Sequence, residues 1–245
     1  MDKYYEALSR LPPNPDRPFE APAANRAGPT RAVVPMPPGH QLLGALARSE
    51  EIRSMCERIA PMAVVENSVR LLVSGCSPGD GATTVAAALA FDLSQRLALE
   101  TLLVDAHLRR PTLHRLFARG AQTPEMVLDG AVQMRPTGWP RLELVTCCMT
   151  DDEGDRRAAL AQLEDRLAAF PAAVIDLGVA RLDSRMLPLA RPGDPILLVV
   201  RSGSTKRRDL ATTAAALRGA NRTLAGAILN AADKAAPFGR GLRRQ

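Results

Sequence analysis

Gly75-Cys76-Ser77-Pro78-Gly79-Asp80-Gly81-Ala82-Thr83-Thr84 is the stretch on which the reading of this chain turns. It follows Val69–Ser74 (V-R-L-L-V-S), a short apolar run of strand length, and leads into an Ala- and Leu-rich segment from Thr84 to Arg96 that reads as a helix. A glycine-rich turn between a strand and a helix has the form of a phosphate-cradling loop, in which backbone amides and the helix N-terminus bind an anion. Pro78, Gly79, Asp80, Gly81, Ala82, Thr83 and Thr84 are therefore the candidate nucleotide-binding residues. Ala82 stands where such a loop carries the lysine that bridges the β- and γ-phosphates. By analogy with the loss of one preorganised electrostatic donor, that exchange costs about 3 kcal/mol or more of transition-state stabilisation. Two readings stay open at Ala82: a glycine-rich turn that binds no phosphate, and weak nucleotide binding through backbone amides alone.

The rest of the chain limits any rescue. Only Lys3, Lys206 and Lys234 are lysines, and the net charge of +6 is carried mainly by arginine. A replacement cation must come from Lys206, Lys234, an arginine or a partner. With 245 residues the chain is long enough to bury a large core. Cys56, Cys76, Cys147 and Cys148 form no C-x-x-C pair, and no signal-peptide-like apolar stretch lies near the N-terminus, so reduced cytoplasmic thiols are expected. No apolar run approaches the roughly 20 residues of a membrane span.

The organisation expected is a short helix at 1–10, a proline-rich linker at 11–40, one domain at 41–233 and a basic tail at 234–245. Within the domain a helical pattern over 41–58 precedes alternating strands and helices. Strands are expected at 69–75, 101–105, 142–146, 172–177, 195–201 and 224–229. Helices are expected near 83–97, 112–118, 123–131, 155–169, 183–190 and 205–219. Continuous apolar runs such as T-L-L-V-D and I-L-L-V-V mark central strands of a mostly parallel sheet with helices on both faces. Sites in such sheets lie at the carboxyl ends of the strands, where the 75–84 loop, Asp105 and Asp176 would converge.

Four segments carry a resemblance: P-G-D-G-A-T-T (78–84), L-L-V-D-A-H-L-R-R-P-T-L-H-R-L-F (102–117), A-A-V-I-D (172–176), and I-L-L-V-V-R-S-G-S-T-K-R-R-D (196–209) with G-A-I-L-N (226–230). Together they resemble the cytoplasmic domain of the bacterial tyrosine kinases of capsule and exopolysaccharide synthesis, over about residues 48–233. The resemblance implies an α/β fold of the P-loop NTPase type, related to MinD and ParA, with ATP and Mg²⁺ as cofactors. It implies that Thr83 and Asp105 hold the metal beside the attacking group and that Asp176 is the second acid there, oxygen ligands suited to Mg²⁺. It also places Glu50 and Arg53 in an E-x-x-R-x-x-R oligomerisation helix, with Cys56 in the second arginine position. For these groups ordinary structural roles remain open: helix capping or arginine pairing for Asp105 and Asp176, and a solvated helix face for Glu50 and Arg53.

The departures from the family pattern agree in direction. Ala82 replaces the lysine, His107 the second acid of D-x-D, and Gly178 and Val179 a proline pair, while no tyrosine follows Tyr5. His107 reads either as a base near Asp105 or as a relaxed position; Arg109 and Arg110 are a further candidate pair beside it. The expectation is a catalytically impaired relative that retains ATP and Mg²⁺ weakly or not at all. Its partner would be a membrane polysaccharide co-polymerase or an active kinase subunit at the inner face of the plasma membrane, or a second copy of itself. The alternatives are an active kinase using a substitute arginine and, less favoured, a MinD/ParA-like positioning ATPase. Aromatics are only 3% of the chain, so the aromatic platforms of single-strand nucleic-acid readers are lacking and no nucleic acid is expected.

Overall fold

The computed structural model describes residues 38–65, 68–107, 111–117, 126–127, 132–147, 153–180, 187–191, 193–220 and 223–231. The helix expected at 1–10, most of the linker, the tail at 234–245, and Arg109, Arg110 and Cys148 lie outside them.

Eight strands form one sheet: β1 (Val69–Gly75), β2 (Thr101–Asp105), β3 (Met126–Val127), β4 (Val132–Pro136), β5 (Leu142–Cys147), β6 (Ala172–Asp176), β7 (Pro195–Arg201) and β8 (Thr223–Asn230), in spatial order β3-β4-β5-β2-β6-β1-β7-β8. From β5 to β8 every pairing is parallel. The helices are α1 (Pro38–Leu46), α2 (Glu50–Val65), α3 (Ala82–Gln95), α4 (Leu113–Phe117), α5 (Glu153–Ala168) and α6 (Arg207–Gly219). β1, β2 and β6 are buried along their whole length because helices cover both faces of the sheet. Leu71, Val73, Leu103 and Val174 pack on the side of α2, α3 and α4, while Leu72, Leu102, Val104 and Ile175 pack on the side of α5 and α6. The fold class expected from the apolar runs is the one observed.

Three expectations are corrected. The segment 41–58 is not one helix: α1 starts at Pro38, inside the expected linker, and ends at Leu46, and α2 starts at Glu50. Ser49 divides them, its Oγ accepting the Ile52 amide at 3.3 Å in the manner of a helix N-cap. α2 then runs through Pro61 to Val65, because Ile59, Ala60 and Ala63 are buried in the core and packing outweighs the proline's missing bond. The helix expected over 123–131 is contradicted at Met126–Val127, which pair antiparallel with Met134 and Gln133. The short apolar run was ambiguous in period, and Asp129-Gly130 between the strands is a hairpin signal. At 183–190 the described part, Leu187–Leu189, is a single 3₁₀ turn.

A charged clamp holds the helical layer together. Arg96 grips buried Asp92 through Nε and Nη2 at 2.7–3.1 Å, reaches Glu57 Oε1 at 2.9 Å, and donates to the Arg53 carbonyl at 3.3 Å. Asp92 is 2% exposed and Glu57 53%, so the first contact dominates. Replacing Arg96 by Ala strands a buried carboxylate and is expected to cost about 3–5 kcal/mol. Glu57→Ala is expected to cost less than about 1 kcal/mol. Urea unfolding of the two variants measures the difference.

Candidate functional site

The glycine-rich loop is pinned by the protein's own groups. Asp80 is 2% exposed; its Oδ2 accepts the amides of Cys76 at 3.0 Å and Ser77 at 2.8 Å, and its Oδ1 accepts the Thr205 hydroxyl at 2.7 Å. Ser77 Oγ donates to Asp209 Oδ2 at 3.0 Å, Asn230 Nδ2 to the Asp80 carbonyl at 2.8 Å, and Arg201 Nη1 to the Gly79 carbonyl at 3.3 Å. The loop is therefore tied to the carboxyl ends of β7 and β8 and to the first turn of α6. The Asp80 amide is spent on the Ser77 carbonyl at 3.2 Å, which removes one of the expected anion donors. The first bond of α3 runs from Val85 N to Gly81 O at 3.0 Å, so the amides of Ala82, Thr83 and Thr84 lie ahead of the helical ladder and can face an anion. Pro78 and Gly79 are exposed at the loop's outer turn. Gly81 adopts φ 93°, and a Cβ there would run into the Asn230 amide, so this position requires glycine.

Ala82 is the first residue of α3 and only 7% exposed. It belongs to the same buried apolar cluster as Val85 and Ala86. Lys206 is exposed at the N-cap of α6, and Lys234 lies outside the described residues.

The two acids meet at the carboxyl ends of adjacent strands, Asp105 in direct register with Asp176. They are used differently. Asp105 Oδ2 accepts the Thr112 and Leu113 amides at 2.8 and 2.9 Å, capping α4, and among the described residues its Oδ1 takes only the His107 amide at 3.3 Å. Asp176 Oδ1 accepts the Gly178 amide at 2.9 Å, while its fully buried Oδ2 has no hydrogen-bond partner among the described residues. Burial pushes the Asp105 carboxyl up to about 6, with the neighbouring Asp176 charge adding to the rise. Burial also raises Asp176, against the opposing pull of the Thr83 hydroxyl and the Gly178 amide. An orphaned carboxylate oxygen, a second carboxyl and the Thr83 hydroxyl form a hard-oxygen set that fits Mg²⁺. Among the described residues no three His, Cys, Asp or Glu side chains cluster as a metal site.

His107 accounts for a second departure. Gly178 has φ 60°, and a Cβ on it would sit 3.0 Å from the His107 ring. Proline, held near φ −65°, cannot adopt that conformation. The His107 ring thus lies close over Gly178, leaving no room there for a side chain.

In the expected oligomerisation helix Glu50 is exposed and Arg53 half-buried, on α2. Cys56 faces inward, its thiol 3.6 Å from the Leu89 carbonyl and pushed well above its ordinary pKa by burial, with Asp92 adding to the effect. It is a core residue rather than a surface substitute for arginine.

No family model matches the chain. It is 25% identical over 195 residues to the tyrosine-protein kinase YwqD of Bacillus subtilis, spanning 74% of this chain and 80% of that one. The kinase domain of the Escherichia coli tyrosine kinase ETK superposes with a TM-score of 0.58 at 22% identity, covering 78% of this chain and 79% of that structure. Sequence and fold together are consistent with a member of the bacterial tyrosine-kinase family. A ParA family ATPase from Chlorobium tepidum superposes at 0.54 with 17% identity over 68% of this chain and 75% of its own, so the fold is that of the P-loop NTPases related to ParA. Sequence reading placed the loop after β1 and the two acids at the ends of neighbouring strands, where the structure has them. It missed Thr205, Asp209 and Asn230, although S-T-K-R-R-D and I-L-N place polar residues just beyond apolar strands.

The raised carboxyls set a pH dependence. A folded-state pKa above the ordinary value means that the native state binds more protons than the unfolded chain between about pH 4 and 6. Stability should therefore fall as pH rises through that window, by about 3 kcal/mol for Asp105. Urea midpoints from pH 4 to 7 should show this decline, and Asp105→Asn should flatten it.

Proposed function

We propose that this chain is a catalytically impaired tyrosine-kinase-like protein that regulates or scaffolds the synthesis and export of exopolysaccharide or capsule. The buried methyl of Ala82 carries the reading: the phosphate loop keeps its strand, turn and helix, yet has no lysine to neutralise charge on the phosphate being transferred. Nucleotide, where it binds, is held by the α3 N-terminal amides, and Asp176, Thr83 and Asp105 would hold Mg²⁺. When bound, the metal would supply positive charge to the phosphates. Asp105 is poorly placed to accept a proton from an attacking hydroxyl, because one oxygen is committed to capping α4 and His107 occupies the space above Gly178. Such a protein acts through its surfaces. The exposed Glu50 on α2 and the Tyr4-Tyr5 segment are the proposed contacts to a polysaccharide co-polymerase or active kinase subunit at the inner membrane face. Among the described residues no helix is long and apolar enough to cross a membrane.

A second reading rests on one observation, the Arg201 guanidinium on the Gly79 carbonyl. If Arg201 substitutes for the lysine, the chain is an active kinase and Arg201→Ala abolishes transfer. The first reading expects wild type to transfer γ-phosphate to a tyrosine peptide near background and Ala82→Lys to raise the rate by about 100-fold or more. Radiolabel transfer by wild type, Ala82→Lys and Arg201→Ala separates the two. Wild-type turnover at ordinary kinase rates, lost in Arg201→Ala, would overturn the impaired reading.

A further inference from the structure

The polar row at the carboxyl ends of the strands has a third member. Thr146 on β5 is in direct register with Asp105 on β2, which is in register with Asp176 on β6. Neighbouring strands lie about 4.8 Å apart. The three side chains share a face of the sheet, for they follow the same alternation as Leu144, Leu103 and Val174, which pack on the α3 side. Thr146 is 1% exposed, and its Oγ1 has no hydrogen-bond partner among the described residues. Two buried polar atoms, Thr146 Oγ1 and Asp176 Oδ2, are thus orphaned on either side of Asp105. Among the described residues Asp105 Oδ1 accepts a single amide, at 3.3 Å.

An unsatisfied buried hydroxyl is destabilising, and valine would fill the same volume without that penalty. A threonine here gains from its hydroxyl only when something else arrives. A hydroxyl can donate one hydrogen bond and accept two. Not hydrogen-bonded to Asp105 in this structure, it could turn toward Asp105 Oδ1 and would accept from a water on a cation that Asp105 and Asp176 would hold. Mg²⁺ retains several waters in protein sites, so a hydroxyl one strand away reaches it through one of them.

We propose that Thr146 is a positioning residue of the divalent-cation site, orienting Asp105 and holding a metal-bound water at the end of β5. This rests on the reading of Asp176, Asp105 and Thr83 as the metal-holding set. Partners of this outer kind usually contribute 10–100-fold to metal affinity.

The test is titration of the full chain with Mn²⁺ alone, free Mn²⁺ being read by electron paramagnetic resonance, on wild type, Thr146→Val, Thr146→Ser and Asp176→Asn. The expected result is about ten-fold or greater weakening in Thr146→Val, near-wild-type binding in Thr146→Ser, and loss in Asp176→Asn. Thermal midpoints in EDTA should be equal or higher for Thr146→Val, since no partner is lost. Equal Mn²⁺ affinity in Thr146→Val and wild type, with Asp176→Asn still deficient, would overturn the role of Thr146 alone. Wild type that binds no Mn²⁺ would overturn the metal-site reading together with it. A fall in the metal-free midpoint of Thr146→Val would show that the hydroxyl serves the fold, and would overturn the proposal.

Discussion

The Asp80 carboxylate, buried inside its own loop, is the interaction on which the site depends. One oxygen gathers the Cys76 and Ser77 amides and the other takes the Thr205 hydroxyl. A carboxylate accepting several short hydrogen bonds gives the loop an internal anion. The turn needs no external phosphate to hold its shape. Because Thr205 lies in the turn after β7 while Asp209 and Asn230 come from α6 and β8, the same contacts lock the far half of the sheet to β1.

This organisation reconciles a retained phosphate-loop fold with a missing lysine. In a loop shaped by its ligand, exchanging the cation for alanine would remove both chemistry and architecture. Here the architecture is supplied by Asp80, and the exchange removes chemistry alone. The acid pair shows a similar division of labour: Asp105 is largely committed to capping α4, whereas Asp176 keeps a buried oxygen that has no partner among the described residues. His107 against Gly178 closes the neighbouring turn. The proposed reading, a scaffold with little capacity for group transfer, draws on these contacts.

What was legible in the sequence follows from how each element is stabilised. The central strands are buried on both faces and read as unbroken apolar runs, so Val69–Gly75, Thr101–Asp105 and Ala172–Asp176 could be located, and with them the loop and both acids. The β3–β4 hairpin sits at the edge of the sheet, where Met126–Val127 is too short to display a period. The α1–α2 break was written in Ser49 followed by Glu50 and Glu51, a capping pattern that the longer helical periodicity masked. Continuation of α2 past Pro61 was illegible because it depends on the core beneath Ala60 and Ala63. Likewise Thr205, Asn230 and Thr146 gain their roles only from strand register, which brings together residues far apart along the chain.

Amide hydrogen exchange at Cys76 and Ser77 tests the central claim most directly. A loop held by Asp80 should protect both amides in nucleotide-free protein, with little change when ATP and Mg²⁺ are added and with protection lost in Asp80→Ala. Amides that exchange freely without nucleotide and become protected only with it would contradict the claim, because the ligand would then be shaping the loop.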